Sequence, residues 1–223
     1  MTREHWARIS AGLLAIAVLW AIWPPFSGAL ERGEGPLEAI WGLLRMFTII
    51  TNLLVGLIFA RIAWRGTASV SSLIIGGIML GIVLVGVVFN LLLSMLPHQT
   101  IWYAIGDYIH HVAAPIAVPL WWAAFARHGA LRWSAPLVWA LYPLAYSAYT
   151  VVRAQFIPPG SGMHSRYPYF FMDADLLGWP MALLSMAGIA LGFVLFGMVA
   201  VAFDKWLGRG AETPTQGLVT AAD

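Results

Sequence analysis

A threonine, a histidine and an aspartate in this sequence have the residue types of a hydroxyl nucleophile with its general base. Asp107 precedes His111 by four residues, about one helical turn, so its carboxylate can orient one imidazole nitrogen. Because the chain contains no Cys, the nucleophile would be a Ser, a Thr, a Tyr or water, and Thr48 is a candidate at a compatible depth. A histidine base can deprotonate a hydroxyl for attack on an acyl carbonyl. The three residues therefore permit ester hydrolysis, a reaction that requires no metal and no cofactor.

Other polar side chains recur at helical spacing near these three residues. Arg45 and Asn52 lie seven residues apart on the predicted helix of Thr48, and Asn90 lies on the next predicted helix. We interpret Arg45, Asn52 and Asn90 as groups that stabilise an oxyanion or hold a fatty carboxylate. The remaining candidates for supporting or binding roles are Thr51, Asp107, His110, Tyr146, Tyr149 and Arg153. Under a simpler interpretation, such residues only hydrogen-bond their own backbone or a neighbouring helix.

The elements that carry these residues are apolar enough to cross a membrane. Of the 223 residues, 61% are hydrophobic and 10% are charged, whereas a soluble domain has about half and a quarter. A membrane-spanning helix needs about 20 consecutive apolar residues. Runs of this length predict six transmembrane helices, at about 6–24, 37–63, 70–96, 107–125, 135–155 and 180–203. The predicted fold is an all-α bundle of six spans within a single domain, residues 1–209.

The basic residues predict the orientation of this bundle. Loops on the cytoplasmic side of a membrane are enriched in Lys and Arg. Eight such residues fall on one side of the six spans: Arg3, Arg8, Arg61, Arg65, Arg127, Arg132, Lys205 and Arg209. Both termini are therefore predicted to be cytoplasmic, with a disordered tail at 210–223. On the outer side, the aromatic part of the linker 158–179 is a candidate lid in the headgroup region.

The candidate residues are predicted to lie at a similar depth. Thr48 is 13 residues from the inner marker Arg61, and His111 is 16 residues from the inner marker Arg127. At ~1.5 Å per residue the two depths differ by about 5 Å, which ordinary helix tilt absorbs. Four predicted helices carry polar groups at this level. We therefore predict one polar cavity in the outer half of the bilayer.

Several other classes of protein are excluded or disfavoured by the same residues. The net charge is +2 and the basic residues are dispersed, so no nucleic-acid surface is predicted. The single Lys, Lys205, ends a predicted helix and cannot hold an intramembrane retinal. His110 and His111 are adjacent and point about 100° apart on a helix, which makes them poor joint ligands of a metal. A non-catalytic binder or transporter of a small amphiphile, and a structural scaffold, remain as alternatives.

The ordered motifs of the chain resemble a known family. They are Met46-Phe47-Thr48-Ile49-Ile50-Thr51-Asn52-Leu53-Leu54, Val88-Phe89-Asn90-Leu91-Leu92, His111-Val112-Ala113-Ala114-Pro115, Tyr142-Pro143-Leu144-Ala145-Tyr146, Tyr149-Thr150-Val151-Val152-Arg153, Tyr167-Pro168-Tyr169-Phe170 with Asp173, and Asp204-Lys205. From about Leu37 to Arg209, this set resembles the bacterial six-helix branch of a family. That family includes the androgen-induced protein and the androgen-dependent tissue-factor-pathway-inhibitor-regulating protein.

The resemblance implies a multipass threonine hydrolase that cleaves fatty acid esters of hydroxy fatty acids. It implies that Thr48 is the nucleophile and that His111 is the catalytic histidine. In the eukaryotic relatives the proline comes five residues after the histidine, a spacing that fits His110, so His110 remains an alternative to His111. Thr51, one turn after Thr48, remains the alternative nucleophile. The resemblance also implies a lipid or fatty-acyl substrate and no cofactor. It places the protein in the bilayer, specifically in a bacterial inner membrane.

Overall fold

The computed structural model describes residues 1–93, 100–159 and 165–209. Every regular element in these segments is a helix, which confirms the predicted all-helical class. The α-helices are α1 (Arg3–Trp20), α2 (Trp23–Glu31), α3 (Pro36–Leu43), α4 (Phe47–Arg65), α5 (Ser72–Val88), α6 (Ile101–Tyr108), α7 (Ala114–Phe125), α8 (Ala135–Ala154), α9 (Ala174–Leu177) and α10 (Trp179–Gly208). The predicted disordered tail at 210–223 lies outside the described residues.

Five helical stretches in the described part of the chain are long and apolar enough to cross a membrane. They are Arg3–Glu31, Phe47–Arg65, Ser72–Leu93, Ala135–Ala154 and Trp179–Gly208. The predicted span at 107–125 is also helical, but it consists of the end of α6, a π-helical turn and α7. The membrane character predicted from composition is therefore supported by the helices themselves.

The predicted span at 37–63 is not one continuous helix. It is divided into α3 and α4, with residues 44–46 between them. Met46 has an extended backbone, with φ −89° and ψ 126°. Residues 44–46 contain neither Gly nor Pro, so the usual sequence signals of a helix break are missing.

Side chains of α8 stabilise this break. A carbonyl removed from water without a hydrogen bond is costly, so a helix breaks there only where other groups supply donors. Three polar side chains of α8 donate to backbone carbonyls at and before the break. These bonds are from Tyr146 to Arg45 (2.6 Å), from Tyr149 to Leu44 (3.3 Å) and from Arg153 to Trp41 (3.0 Å). The polar stripe predicted on this helix is thus used to hold α3 and the start of α4.

Two π-helical turns contact each other, at Phe89–Leu93 and Ile109–Ala113. Such turns carry one extra residue, shift the register of the side chains and often occur at functional sites. The amide nitrogen of Asn90, in the first turn, donates to the carbonyl of Gly86 at 2.8 Å and to the carbonyl of His111 at 2.9 Å. Asn90 therefore ties the backbone of His111 to the end of α5.

The helix ends that are predicted to be cytoplasmic are joined by polar contacts with backbone atoms. These bonds are from Arg3 to the carbonyl of Ala124 (3.1 Å), from Arg8 to the carbonyl of Trp64 (2.7 Å), and from the amides of Gly129 and Leu131 to the fully buried carboxylate of Asp204 (3.0 and 3.1 Å). The start of α1, the ends of α4 and α7 and the end of α10 therefore lie at the same end of the bundle.

Gly86 allows α5 and α7 to approach closely beside the Asn90 contact. A Cβ at Gly86 would lie 2.6 Å from the Cβ of Pro115, closer than real side chains approach. In contrast, a Cβ at Gly188 on α10 would meet nothing within 4 Å. Gly188 and Gly192 have the small-residue spacing typical of helix packing, yet neither packs against a helix in the described residues.

We expect Gly86→Ala to destabilise the protein by about 1–3 kcal/mol, because overpacking against a rigid proline ring outweighs the better helix propensity of alanine. Gly188→Ala is the matched control, and its stability should equal or slightly exceed that of the wild type. Thermal unfolding in detergent measures both variants. Equal midpoints for the two variants would contradict the close approach at Gly86.

Candidate active site

The structure brings Thr48, His111 and Asp107 together. The hydroxyl oxygen of Thr48, in the first turn of α4, lies 3.2 Å from Nε2 of His111. On the other side of the ring, Nδ1 of His111 lies 3.0 Å from a carboxylate oxygen of Asp107. The side chains of His111 and Asp107 are only 12% and 16% exposed. The three groups form one chain of hydrogen bonds, from a hydroxyl through an imidazole to a carboxylate.

The surroundings of His111 determine which ring nitrogen carries the proton. Nδ1 faces two acceptors, the carboxylate of Asp107 and the backbone carbonyl of Asp107, each at 3.0 Å. A neutral imidazole satisfies both only if Nδ1 is protonated and donates to them. Nε2 then has a lone pair directed at the hydroxyl of Thr48. This is the arrangement that a general base requires.

The imidazole of His111 is also held by its neighbours on α5 and its π-helical turn. The ring of Phe89 stacks on it, with centroids 3.6 Å apart and planes 10° from parallel. The carbonyl of His111 accepts the hydrogen bond from Asn90. The ring plane and the backbone of His111 are therefore each held by a contact outside its own helix.

The alternative residues of the predicted pair have other partners. The hydroxyl of Thr51 lies 2.7 Å from the hydroxyl of Tyr142 on α8. His110 is 3% exposed, and its Nε2 lies 2.9 Å from the carbonyl of Val18 on α1. The structure therefore brings Thr48 and His111 together but not Thr51 and His110.

The residues predicted to stabilise an oxyanion contact the backbone instead. The amide nitrogen of Asn52 donates to the carbonyl of Thr48 at 2.9 Å, and that of Asn90 donates to the carbonyls of Gly86 and His111. Arg45 contributes its own carbonyl, which accepts from α8. These side chains hold the backbone around Thr48 and His111 in place, and the donors to an oxyanion must come from elsewhere.

Thr48 also lies at the positive end of the dipole of α4, because it is in the first turn of that helix. The amides of Ile49 and Ile50 donate to the carbonyl of Met46 at 3.1 and 3.2 Å. The amide of Phe47 donates to the hydroxyl of Tyr169 at 3.1 Å. Burial raises the pKa of the Tyr169 phenol. Tyr169 was not among the predicted site residues, although it belongs to the aromatic linker motif.

An apolar cavity adjoins Thr48. Side chains of α4, α5, α8, α10 and the linker before α9 form its walls. The lining residues are Phe47, Thr48, Leu84, Val85, Val88, Phe89, Leu93, Pro143, Tyr146, Ser147, Tyr169, Phe171, Met172, Met186 and Ile189. The sequence predicted a polar cavity, whereas the cavity beside Thr48 is largely apolar, and of the predicted site residues only Thr48 and Tyr146 line it.

No family model, curated protein or solved structure matches this chain. The site is therefore interpreted from its own geometry. Three features of that geometry bear on the chemistry: a hydroxyl 3.2 Å from an imidazole nitrogen, the positive end of a helix dipole, and an apolar cavity at the same hydroxyl. Such a combination is suited to attack on the carbonyl of a molecule with a long apolar chain.

Nitrogen NMR of isotope-labelled histidine in detergent tests the assigned tautomer. We expect the neutral form of His111 to carry its proton on Nδ1 and not on Nε2, because both neighbours of Nδ1 are acceptors. Thr48→Ala should shift the Nε2 resonance of His111, since it removes the only hydroxyl within hydrogen-bond distance of that atom in the described structure. The resonances of His110 are the internal control. A proton on Nε2 of His111 would contradict the proposed role of this nitrogen as a base.

Proposed function

We propose that the protein is a membrane-embedded hydrolase of lipid esters, with Thr48 as its nucleophile and His111 as its general base. One observation carries this proposal: the hydroxyl of Thr48 lies 3.2 Å from Nε2 of a histidine whose Nδ1 contacts Asp107. The arrangement has the order of groups found in serine hydrolases, with threonine in the position of serine. The resemblance to multipass threonine hydrolases implies the same two residues.

The reaction proceeds in two halves. Nε2 of His111 takes the proton of the Thr48 hydroxyl as its oxygen attacks the acyl carbonyl. The tetrahedral intermediate collapses, His111 gives its proton to the leaving alcohol, and the acyl group stays on Thr48. A water molecule then gives a proton to His111 and attacks the acyl carbon. Collapse of the second intermediate returns the proton to Thr48 and releases the carboxylic acid.

Asp107 supports each half by stabilising the imidazolium. Once Nε2 of His111 has gained a proton, the ring is positively charged and Nδ1 still donates to the carboxylate. The apolar surroundings strengthen this interaction, because they screen charges less than water does. The start of α4 stabilises the opposite charge, since Thr48 lies in the first turn and the positive end of the helix dipole faces a developing oxyanion.

The substrate class follows from the cavity. Its walls are almost entirely aliphatic and aromatic, and they belong to helices that are apolar enough to cross a membrane. A fatty-acyl chain would be buried there without leaving polar groups unpaired. We therefore propose that the ester is an amphiphile that reaches Thr48 with its acyl chain along α5 and α10.

The proposed topology has six crossings, with α6 and α7 together forming the fourth, and with both termini in the cytoplasm. It is supported by the basic residues whose contacts join the inner helix ends, since such residues are retained on the cytoplasmic side. Thr48 then lies in the outer half of the bilayer, and water reaches the acyl-enzyme from that side. The resemblance implies the inner membrane of a bacterium.

Hydrolysis of a fatty-acyl ester by purified protein in detergent tests the proposal. Thr48→Ala and His111→Ala should each lower kcat by about 10²–10⁴-fold, because they remove the nucleophile and its base. Thr51→Ala and His110→Gln are matched controls, and they should retain at least about a third of the wild-type rate. Labelling by a fluorophosphonate probe should be lost in the first two variants.

Three outcomes would contradict this assignment. Loss of activity in Thr51→Ala with retention in Thr48→Ala would reassign the nucleophile. Retention in all four variants would exclude Thr48 and His111 as the catalytic pair. An absence of hydrolysis by a folded protein that still binds fatty acids would favour the alternative. That alternative is a binder or transporter of a small amphiphile, which the apolar cavity also suits.

Asp107→Ala is expected to have a smaller effect than His111→Ala. The backbone carbonyl of Asp107 also lies 3.0 Å from Nδ1 of His111, so the variant loses the carboxylate but keeps an acceptor that maintains the tautomer. In serine proteases, an aspartate substitution that inverts the tautomer lowers kcat about 10⁴-fold. We expect a loss well below that factor, measured as kcat with the same ester. A loss equal to that of His111→Ala would mean that the carbonyl alone does not maintain the ring.

A further inference from the structure

Tyr169 lies beside Thr48 in the same cavity, but no step above uses it. The hydroxyl oxygen of Tyr169 accepts a hydrogen bond from the amide of Phe47, at the start of α4, at 3.1 Å. Phe47 immediately precedes Thr48 in the first turn of α4, and Tyr169 and Thr48 both line the apolar cavity. A phenol hydroxyl is both donor and acceptor. Because its oxygen accepts from Phe47, its hydrogen can be donated towards Thr48.

The linker holds Tyr169 from both sides. Before it, Arg166 forms two hydrogen bonds of 2.7 Å with the carboxylate of Asp175, a bidentate ion pair. After it, Asp173 caps α9 by accepting from the amides of Asp175 and Leu176 at 2.9 and 3.1 Å. The ring of Tyr169 stacks on that of Phe171, with planes 6° apart. The hydroxyl is therefore positioned before any substrate binds.

The hydrogen bonds around Thr48 run in one direction. The amide of Phe47 donates to Tyr169, Tyr169 can donate to the hydroxyl oxygen of Thr48, and Thr48 donates to Nε2 of His111. Consecutive bonds of this kind polarise one another. The amide of Phe47 makes the phenol a stronger donor, and the phenol favours negative charge at the oxygen of Thr48.

We propose that Tyr169 is a catalytic residue that donates its hydroxyl hydrogen to the oxyanion formed at Thr48, an inference that rests on the proposed hydrolysis there. When the oxygen of Thr48 bonds to the acyl carbon, the carbonyl oxygen on that same carbon becomes the oxyanion. The hydroxyl of Tyr169 then donates its hydrogen bond to this oxyanion instead of to the threonine oxygen. No proton leaves Tyr169, so the step changes no charge on the phenol. The linker before α9 is thereby part of the active site as well as a cover over it.

The same chain offers a matched pair of variants. Tyr169→Phe removes the donor hydroxyl and leaves the ring. Tyr167→Phe, two residues earlier, removes a buried hydroxyl that has no hydrogen-bond partner in the described residues. With p-nitrophenyl decanoate in detergent, we expect Tyr169→Phe to lower kcat by about 10²–10³-fold with KM within a factor of about three. Tyr167→Phe should match the wild type, and Thr48→Ala should be inactive.

A binding measurement separates a catalytic role from a structural one. A decyl trifluoromethyl ketone forms a tetrahedral adduct with a nucleophilic hydroxyl, whereas decanoate fills the cavity without reacting. Tyr169→Phe should weaken binding of the ketone about 100-fold and leave binding of decanoate unchanged. If both affinities fall together, the hydroxyl is structural and the proposal is overturned.

The remaining outcomes are distinct. A Tyr169→Phe variant that is as active as the wild type, or more active, overturns the proposed donor, and higher activity would mean that the hydroxyl blocks the site. If Thr48→Ala is inactive in the same experiment, only the proposed role of Tyr169 is overturned, and the proposed hydrolysis at Thr48 is not. If Thr48→Ala remains active, the proposed hydrolysis itself fails, and the role of Tyr169 fails with it.

Discussion

The site depends on one constraint, that a backbone group buried away from water needs a hydrogen-bond partner. Residues 44–46 leave the helical conformation, and the carbonyls at this break are paired because α8 supplies two tyrosines and an arginine. Since α3 ends there, α4 begins anew at Phe47. Thr48 consequently lies in the first turn of a helix, at the positive end of its dipole. In a continuous helix, the same threonine would not lie at a helix end.

The histidine depends on a second departure from regular helix. The π-helical turn at Ile109–Ala113 directs His110 towards α1 and His111 towards α4. A second π-helical turn brings Asn90 to the carbonyl of His111 and Phe89 to its ring. The nucleophile and the base thus each lie at an irregular point of a helix, and each irregularity is stabilised by side chains from another helix.

The sequence was sufficient for the helical class and for several apolar helices, and it predicted that Thr48 and His111 lie at a similar depth. Composition determines the first two, and helical rise relates depth to residue number. The break in the second predicted span was not predictable, because it depends on partners from α8, about a hundred positions later in the chain. Likewise, Asn52 and Asn90 were predicted to be donors to a substrate, since spacing does not reveal that they contact carbonyls. Tyr169 belongs to the aromatic linker motif, but only the fold of the linker brings it to the start of α4.

Many of the bonds that hold the site together join a side chain to a backbone oxygen. Asn52, Asn90, His110 and Tyr146 all bond in this way. A substitution at the donor abolishes such a bond, whereas almost any residue can provide the carbonyl. Natural variation is then constrained at one member of each pair and relaxed at the other, so the two positions have no reason to change together. Correlated substitutions would miss these contacts, and saturation mutagenesis would reveal them as isolated sensitive positions.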